Sequence, residues 1–409
     1  MRKIAQCRLC GGSDFELIID LGWQALTGLF PRNPTTEGLP GGPLRLIQCV
    51  SESGCGLVQL EHSFDQNLLY GENYGYRSGL NATMVQHLGA KVADISSRVV
   101  LNTGDVVVDI GSNDGTTLGF YPPTLTRIGI DPTASKFQHH YPPGTIAISD
   151  FFSARAVLSA SAGRMARAIT SFSMMYDLEH PQAFTNEVAA VLAFDGIWMF
   201  EQSYLPLMLK RIAFDTICHE HLEYYGIRQI DWLLQEAGLE VIDVELNDVN
   251  GGSFSVVAAH RGAFTVAESV EQIRLHEQSL WIKSHKRFAE FAEATRLSRD
   301  ALRTFIQNQI SAGKSVAGLG ASTKGNVLLQ YTGLTVSEIS VIGDVNPDKY
   351  GCFTPGSGIP IAPQEEVLSQ NHDFYVVLPW HFRDFFETSP AFLNRRLVFP
   401  LPQLAVVER

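Results

Sequence analysis

Between Phe214 and Gly226 the chain reads FDTICHEHLEYYG: His219 and His221 flank Glu220, Cys218 precedes them and Tyr224 follows. A neutral imidazole titrates near working pH and can act as a general base, with a carboxylate to orient it and phenols to donate hydrogen bonds. A His-x-His pair beside acids can also chelate a metal. This stretch lacks the i, i+4 spacing of a helical His-Glu-x-x-His site, and no second cluster in the sequence offers further ligands. The bland alternative is a polar loop. Proton transfer is the favoured reading, and spacing alone does not separate His219 from His221.

Two glycine-rich turns suggest what surrounds this stretch. VVVDIGSNDG is an apolar strand ending in an acid and a turn, with Asp109, Gly111, Asn113, Asp114 and Gly115 as candidates for holding a cofactor. Missing Cβ atoms let backbone approach a ligand at the carboxyl edge of a sheet. About 20 residues on, Asp131 ends RIGID, where its carboxylate can take two ribose hydroxyls. One strand later, Asp150 and Phe151 offer an edge and a face to adenine. The turn lacks the three-glycine dinucleotide fingerprint, and no Walker loop is present. Three strand ends of this kind suit S-adenosylmethionine better than a nicotinamide. The second turn, GLGASTKGN, opens a helix whose free amides favour phosphate, with Ser322, Thr323, Lys324 and Asn326 as candidate contacts to a substrate pyrophosphate. Trp380 and His381, ending VVLPWH, stand where another strand end can face the same cleft.

The third constellation is sulfur. Of six cysteines, Cys7, Cys10, Cys49 and Cys55 fall within the first 55 residues. CRLC is a zinc knuckle, and the later pair completes a tetrahedral four-thiolate site, although its five-residue spacing is wide. Four protein ligands leave no open position, so the expected zinc is structural. Its loss is expected to unfold the N-terminal module before it alters the cofactor pocket.

The elements that must position these groups follow from pattern and length. At 409 residues the chain can form two or three domains. Residues up to about Ser63 read as a small loop-rich module. Met84, Leu88, Val92 and Ile95 mark one face of a helix, and from Asp105 strands alternate with helices, which predicts a mostly parallel sheet. A polar amphipathic helical stretch over Val270 to Gln309 connects to a second α/β unit. A net charge of −12 argues against nucleic-acid partners, and no apolar run is long enough for a bilayer. The opening MRKIAQCRLCGG has no signal-like apolar stretch, so a cytoplasmic setting is expected.

CxxC with two further cysteines, YGYRSG, DIGSNDG, FDTICHEHLEYY, NGGSF and GLGASTKGN together resemble the sugar C-methyltransferases of deoxysugar biosynthesis, nearly end to end. The resemblance implies an α/β protein in three parts. These are a zinc-binding module at 1–67, a class I methyltransferase Rossmann-like domain at 68–262, and a helical connector with a Rossmann-like domain at 263–409. It also implies methyl transfer from S-adenosylmethionine to a carbon beside the ketone of a nucleotide-linked keto-sugar. The family's base falls on His221 with Glu220 beside it, and its loop tyrosine on Tyr76. Arg77 and Cys218 are then candidates for substrate contact, and the nucleotide end is expected between the two larger domains. The family commonly carries tyrosine at Cys218 and histidine at Asp177, so the sugar or the methylated position can differ here.

A sugar carbon becomes a nucleophile only by losing a proton next to a carbonyl, a task suited to His221. Tyr76, Tyr224 or His219 would then meet the enolate oxygen. The competing readings are an O- or N-methyltransferase and a silent nucleotide-sugar-binding protein. The expected assembly is a monomer or weak homo-oligomer.

Overall fold

Phe15–Ala25 (β1), Gly41–Cys49 (β2) and Val58–Leu60 (β3) form an antiparallel sheet in the segment expected to be loop-rich. That expectation is corrected, and the cause is visible in the pairing. The β1–β2 register slips between Leu17 and Ile19 and again between Asp20 and Trp23. Each slip moves the inward face by one residue, so period-2 alternation is lost along FELIIDLGWQA. The computed structural model describes residues 1–35, 37–70, 76–281 and 284–408. Tyr74 and Gly75 of YGYRSG, and residues 282–283 of the connecting helical stretch, lie outside the described residues.

The helix α1 (Ala82–Arg98) starts where the Asn81 side chain accepts from the amides of Thr83 and Met84, a standard N-cap. It buries Leu88, Val92 and Ile95 of the predicted face, with Met84 half-buried. The central sheet follows with β4 (Val106–Ile110), β5 (Thr126–Ile130), β6 (Ile146–Ile148), β7 (Ala166–Phe172) and β8 (Leu192–Ser203). All five are parallel. VVVDI is buried at every position, the pattern of a strand covered on both faces. A two-residue strand, β9 (Glu223–Tyr224), leaves this sheet and pairs with β3, Glu223 opposite Gln59 and Tyr224 opposite Val58. The antiparallel β10 (Leu239–Asn247) and β11 (Ser253–His260) complete the order β10-β11-β8-β7-β4-β5-β6. The chain runs outward in both directions from β4 and β7, so a crevice opens at their carboxyl ends, where α/β sheets bind ligands.

Among the described residues the connecting stretch is helical over Glu268–Trp281 and Ser284–Ser311. The second α/β unit has the sheet order β14-β13-β12-β15-β16-β17. Its strands are β12 (Val316–Leu319), β13 (Ile342–Asp344), β14 (Ile361–Pro363), β15 (Phe374–Val377), β16 (Arg396–Phe399) and β17 (Ala405–Glu408). Only the β16–β17 pair is antiparallel. The GLGASTKGN turn joins β12 to a helix over Thr323–Thr332. Among the described residues no helix is long and apolar enough to cross a membrane.

Candidate active site

The turn after β4 is shaped for a close ligand. Gly111 and Gly115 hold φ of +70° and +75°, and a Cβ on Gly115 would stand 2.9 Å from the Tyr141 ring. β4, β5 and β6 lie side by side, so the turn, Asp131 and the Asp150–Phe151 pair share one rim. The Asp131 carboxylate accepts from the Asn113 amide at 2.9 Å and from the Thr133 amide and hydroxyl at 2.6 and 2.5 Å. A carboxylate has about four lone-pair sites, so ribose hydroxyls must share or replace the Thr133 contacts. Phe151 is exposed, with a face free for a purine, and Asp150 accepts from its amide. These residues fit S-adenosylmethionine.

Other members of the turn serve inward. Asp109 is buried and accepts from Thr170 Oγ1 at 2.6 Å, and burial pushes its carboxyl up to about 7. Asn113 and Asp114 fasten the loop before α1. Asn113 accepts from the Ser78 amide and donates to the Tyr76 carbonyl, and Asp114 accepts from the Gly79 amide. Arg77 lies 3.6 Å from Asp114. Tyr76, nearly half exposed, is thereby held over the cofactor turn.

FDTICHEHLEYYG follows β8 and one short helix, at the carboxyl end of the same sheet. Its two histidines face different surroundings. His219 is fully buried, points Nε2 at the Gly42 carbonyl 3.3 Å away, and meets the Phe64 ring edge-on at 4.6 Å. His221 Nδ1 lies 2.9 Å from the Thr216 carbonyl. A carbonyl only accepts, so Nδ1 carries the hydrogen and Nε2 keeps its lone pair. Burial, then the nearby Lys324 charge, lowers His221 to about 3, so the ring is neutral at working pH.

The Tyr224 hydroxyl donates to the same Thr216 carbonyl at 3.3 Å, so its hydrogen is already committed. Glu220 is buried, accepts from Thr27 Oγ1 at 3.2 Å and from the Cys218 thiol, and is shifted upward by burial. Asp177 is shifted the same way by burial and is hydrogen-bonded to Tyr70. Thr216, Thr27 and Tyr176 escaped the sequence reading. Tyr176 packs its ring 4.1 Å from that of His221, and its carbonyl accepts from Leu222. Its only sequence signal is its place four residues past the end of β7.

The second glycine turn faces this segment more than it faces outward. Ser322 caps its own helix by accepting from the Gly325 amide at 3.0 Å, and Thr323 is half-buried beside it. Lys324 Nζ donates to the Asn250 carbonyl at 2.6 Å, and its charge acts on Asp215, His221 and His381. Asn326 is fully buried and donates to the Thr27 carbonyl at 2.7 Å. Trp380 donates to Asp215 at 2.8 Å, and His381 lies beside it with burial holding its imidazole neutral. The N-terminal module, the central domain and the C-terminal unit therefore all send side chains to one centre.

Cys7, Cys10, Cys49 and Cys55 place their sulfurs within 4.8 Å of one another, with the Cys7–Cys55 and Cys10–Cys49 pairs each at 3.6 Å. Zn–S bonds of about 2.3 Å imply tetrahedron edges of about 3.8 Å, so the donors fit zinc. Gln59 Nε2 donates to the Cys7 sulfur at 3.1 Å, as expected around a thiolate ligand.

Family models match three stretches: a zinc binding domain at 7–70, a methyltransferase domain at 84–244 and a C-methyltransferase C-terminal domain at 248–402. The curated C-methyltransferase NovU of Streptomyces niveus is 31% identical over 414 residues, covering 100% of this chain and 98% of that protein. Among solved structures, an S-adenosylmethionine-dependent methyltransferase from Clostridium acetobutylicum matches at TM-score 0.33 and 12% identity, over 44% of this chain and 92% of its own. The plantazolicin methyltransferase BpumL, in complex with SAH, matches at TM-score 0.34 and 11% identity, over 43% and 84%.

The cofactor site carries a direct prediction. Asp131→Ala is expected to weaken S-adenosylmethionine binding, because charge-assisted bonds to ribose hydroxyls contribute up to about 1.5–3 kcal/mol each. Calorimetric titration of the folded variant checks this, and unchanged affinity would remove Asp131 from the site.

Proposed function

The chain belongs to the C-methyltransferase family, and on that premise we propose that it methylates a carbon beside the ketone of a nucleotide-linked keto-deoxysugar, through an enolate made by His221. S-adenosylmethionine supplies an electrophilic methyl group when bound. The observation that carries the reading is the Thr216 carbonyl, which holds hydrogen on Nδ1 of His221 and leaves Nε2 basic. The base stands in a segment inserted at the carboxyl end of the sheet that carries the cofactor turn.

A base depressed to about 3 is present in its working form but has modest proton affinity. Lys324 is one of the two causes. An anionic nucleotide diphosphate close to Lys324 would offset that charge and raise the proton affinity of His221 when substrate is there. Placement of Lys324 on the Asn250 carbonyl, between the two larger sheets, supports a nucleotide end in that region. Glu220, buried and shifted toward its neutral form, can read a sugar hydroxyl or support the Cys218 thiol beside it.

Incubation with a panel of nucleotide-linked 4-keto-sugars in deuterated water, without a methyl donor, tests the proposal. Deuterium is expected at the α-carbon of the true substrate, and a C-methyl product is expected by mass spectrometry once the donor is added. A product methylated on oxygen or nitrogen, with no carbon-bound deuterium, would overturn the enolate reading.

A further inference from the structure

Ser173, just past β7, and Asn250, between β10 and β11, hold φ of +54° and +53°, a conformation that residues other than glycine seldom adopt. They touch each other: Asn250 Nδ2 donates to Ser173 Oγ at 3.1 Å. Strained backbone persists only where the surroundings over-determine it, and it gathers at functional sites. Both residues lie against the reaction centre. The Asn250 carbonyl accepts from Lys324, and the Ser173 hydroxyl lies within reach of the Tyr176 hydroxyl.

The donors in this chain have a direction. An amide NH₂ has no lone pair, so the Ser173 oxygen accepts from Asn250 and keeps its own hydrogen for Tyr176. The Tyr176 oxygen then accepts, and its hydrogen is left for a further acceptor. Hydrogen bonds in series polarise one another, which strengthens the last donor. We propose that this last acceptor is the enolate oxygen of the bound substrate, and that the left-handed Ser173–Asn250 pair exists to aim the Tyr176 hydroxyl at it. The inference rests on the enolate reading above.

The surroundings agree. The Tyr176 ring lies over that of His221, the residue proposed to take the α-proton. The Tyr224 hydrogen is spent on the Thr216 carbonyl, and His219 faces Gly42. Tyr176 is only 6% exposed, where a fixed donor stabilises developing charge most. Burial, followed by the Asp177 charge, moves its phenol well above the ordinary range, so it stays protonated and gives a hydrogen bond rather than a proton.

Tyr176→Phe keeps the ring against His221 and removes only the hydroxyl. Solvent exchange of the substrate α-proton and methyl transfer are both expected to slow by about 10²-fold, the usual loss for one oxyanion donor. S-adenosylmethionine affinity should be unchanged. Ser173→Gly suits the left-handed backbone and removes the middle hydroxyl, so a smaller loss of the same kind is expected. Wild-type exchange in Tyr176→Phe would overturn the inference. Should that variant fail to fold, wild-type exchange in Ser173→Gly would do so. Absence of exchange in the unmodified protein would instead sink the enolate reading, and the donor with it.

Discussion

His221→Ala is expected to abolish exchange of the sugar α-proton and to lower methyl transfer by at least about 10²-fold, while both ligands still bind. The groups proposed to bind are elsewhere: the cofactor turn and Asp131 at the ends of β4 and β5, and Lys324 on the C-terminal unit. What the variant removes is the lone pair on Nε2, whose tautomer the Thr216 carbonyl sets. The control is His219→Ala. That ring fills a fully buried space against Phe64, so its loss should lower the melting temperature and spare exchange in the folded fraction. Proton NMR in deuterated water reads exchange without any methyl donor, so a defect in cofactor binding does not imitate the result. Loss of exchange in His219→Ala alone would reverse the assignment of the two histidines. Exchange surviving in both variants would move the base elsewhere.

The reason sequence did not separate these histidines is local. Both stand in one HEH triplet, and their roles diverge through acceptors far apart in the chain, the Gly42 carbonyl and the Thr216 carbonyl. The Gly42 acceptor lies 177 residues away and leaves no mark on spacing. Tyr224 has the type of an enolate donor, but its hydrogen is held by the Thr216 carbonyl, a contact that only the folded loop shows. Lys324 and Asn326 read as contacts to a substrate pyrophosphate, because Ser/Thr/Lys after glycines opens a helix. The helix over Thr323–Thr332 packs against the FDTICHEH segment and the first sheet, which turns Lys324 to Asn250 and Asn326 to Thr27.

The fold was legible where burial follows a simple period. VVVDI and RIGI are apolar runs of strands covered on both faces, and the helix around Val92 shows its stripe. The cysteine cluster was legible because thiol ligands recur at short spacings. The sheet around it was not, since two register slips scramble its alternation. Its fourth strand also comes from residue 223, in another part of the sequence.

That borrowed strand makes metal removal reach the reaction centre. β9 continues the HEH segment directly, and it pairs with β3 while the Leu60 amide donates to the Leu222 carbonyl at 2.8 Å. The Gln229 side chain, on the helix that follows this segment, donates to the Cys55 carbonyl at 2.8 Å. Arg8, between two zinc ligands, brings Nε within 3.7 Å of Glu223, and both side chains are almost fully buried. Separating a buried pair of this kind is costly, so movement of the zinc module shifts the segment that carries Glu223. Glu223 stands two residues from His221. Chelation, or Cys7→Ser with Cys55→Ser, is therefore expected to reduce α-proton exchange in proportion to zinc lost. The cofactor turn sits on β4 and β5, outside this sheet, so S-adenosylmethionine affinity should hold. Elemental analysis, calorimetry and exchange measured on one preparation check all three quantities. A folded chain with no zinc that exchanges at the normal rate would show that the metal module supports only itself.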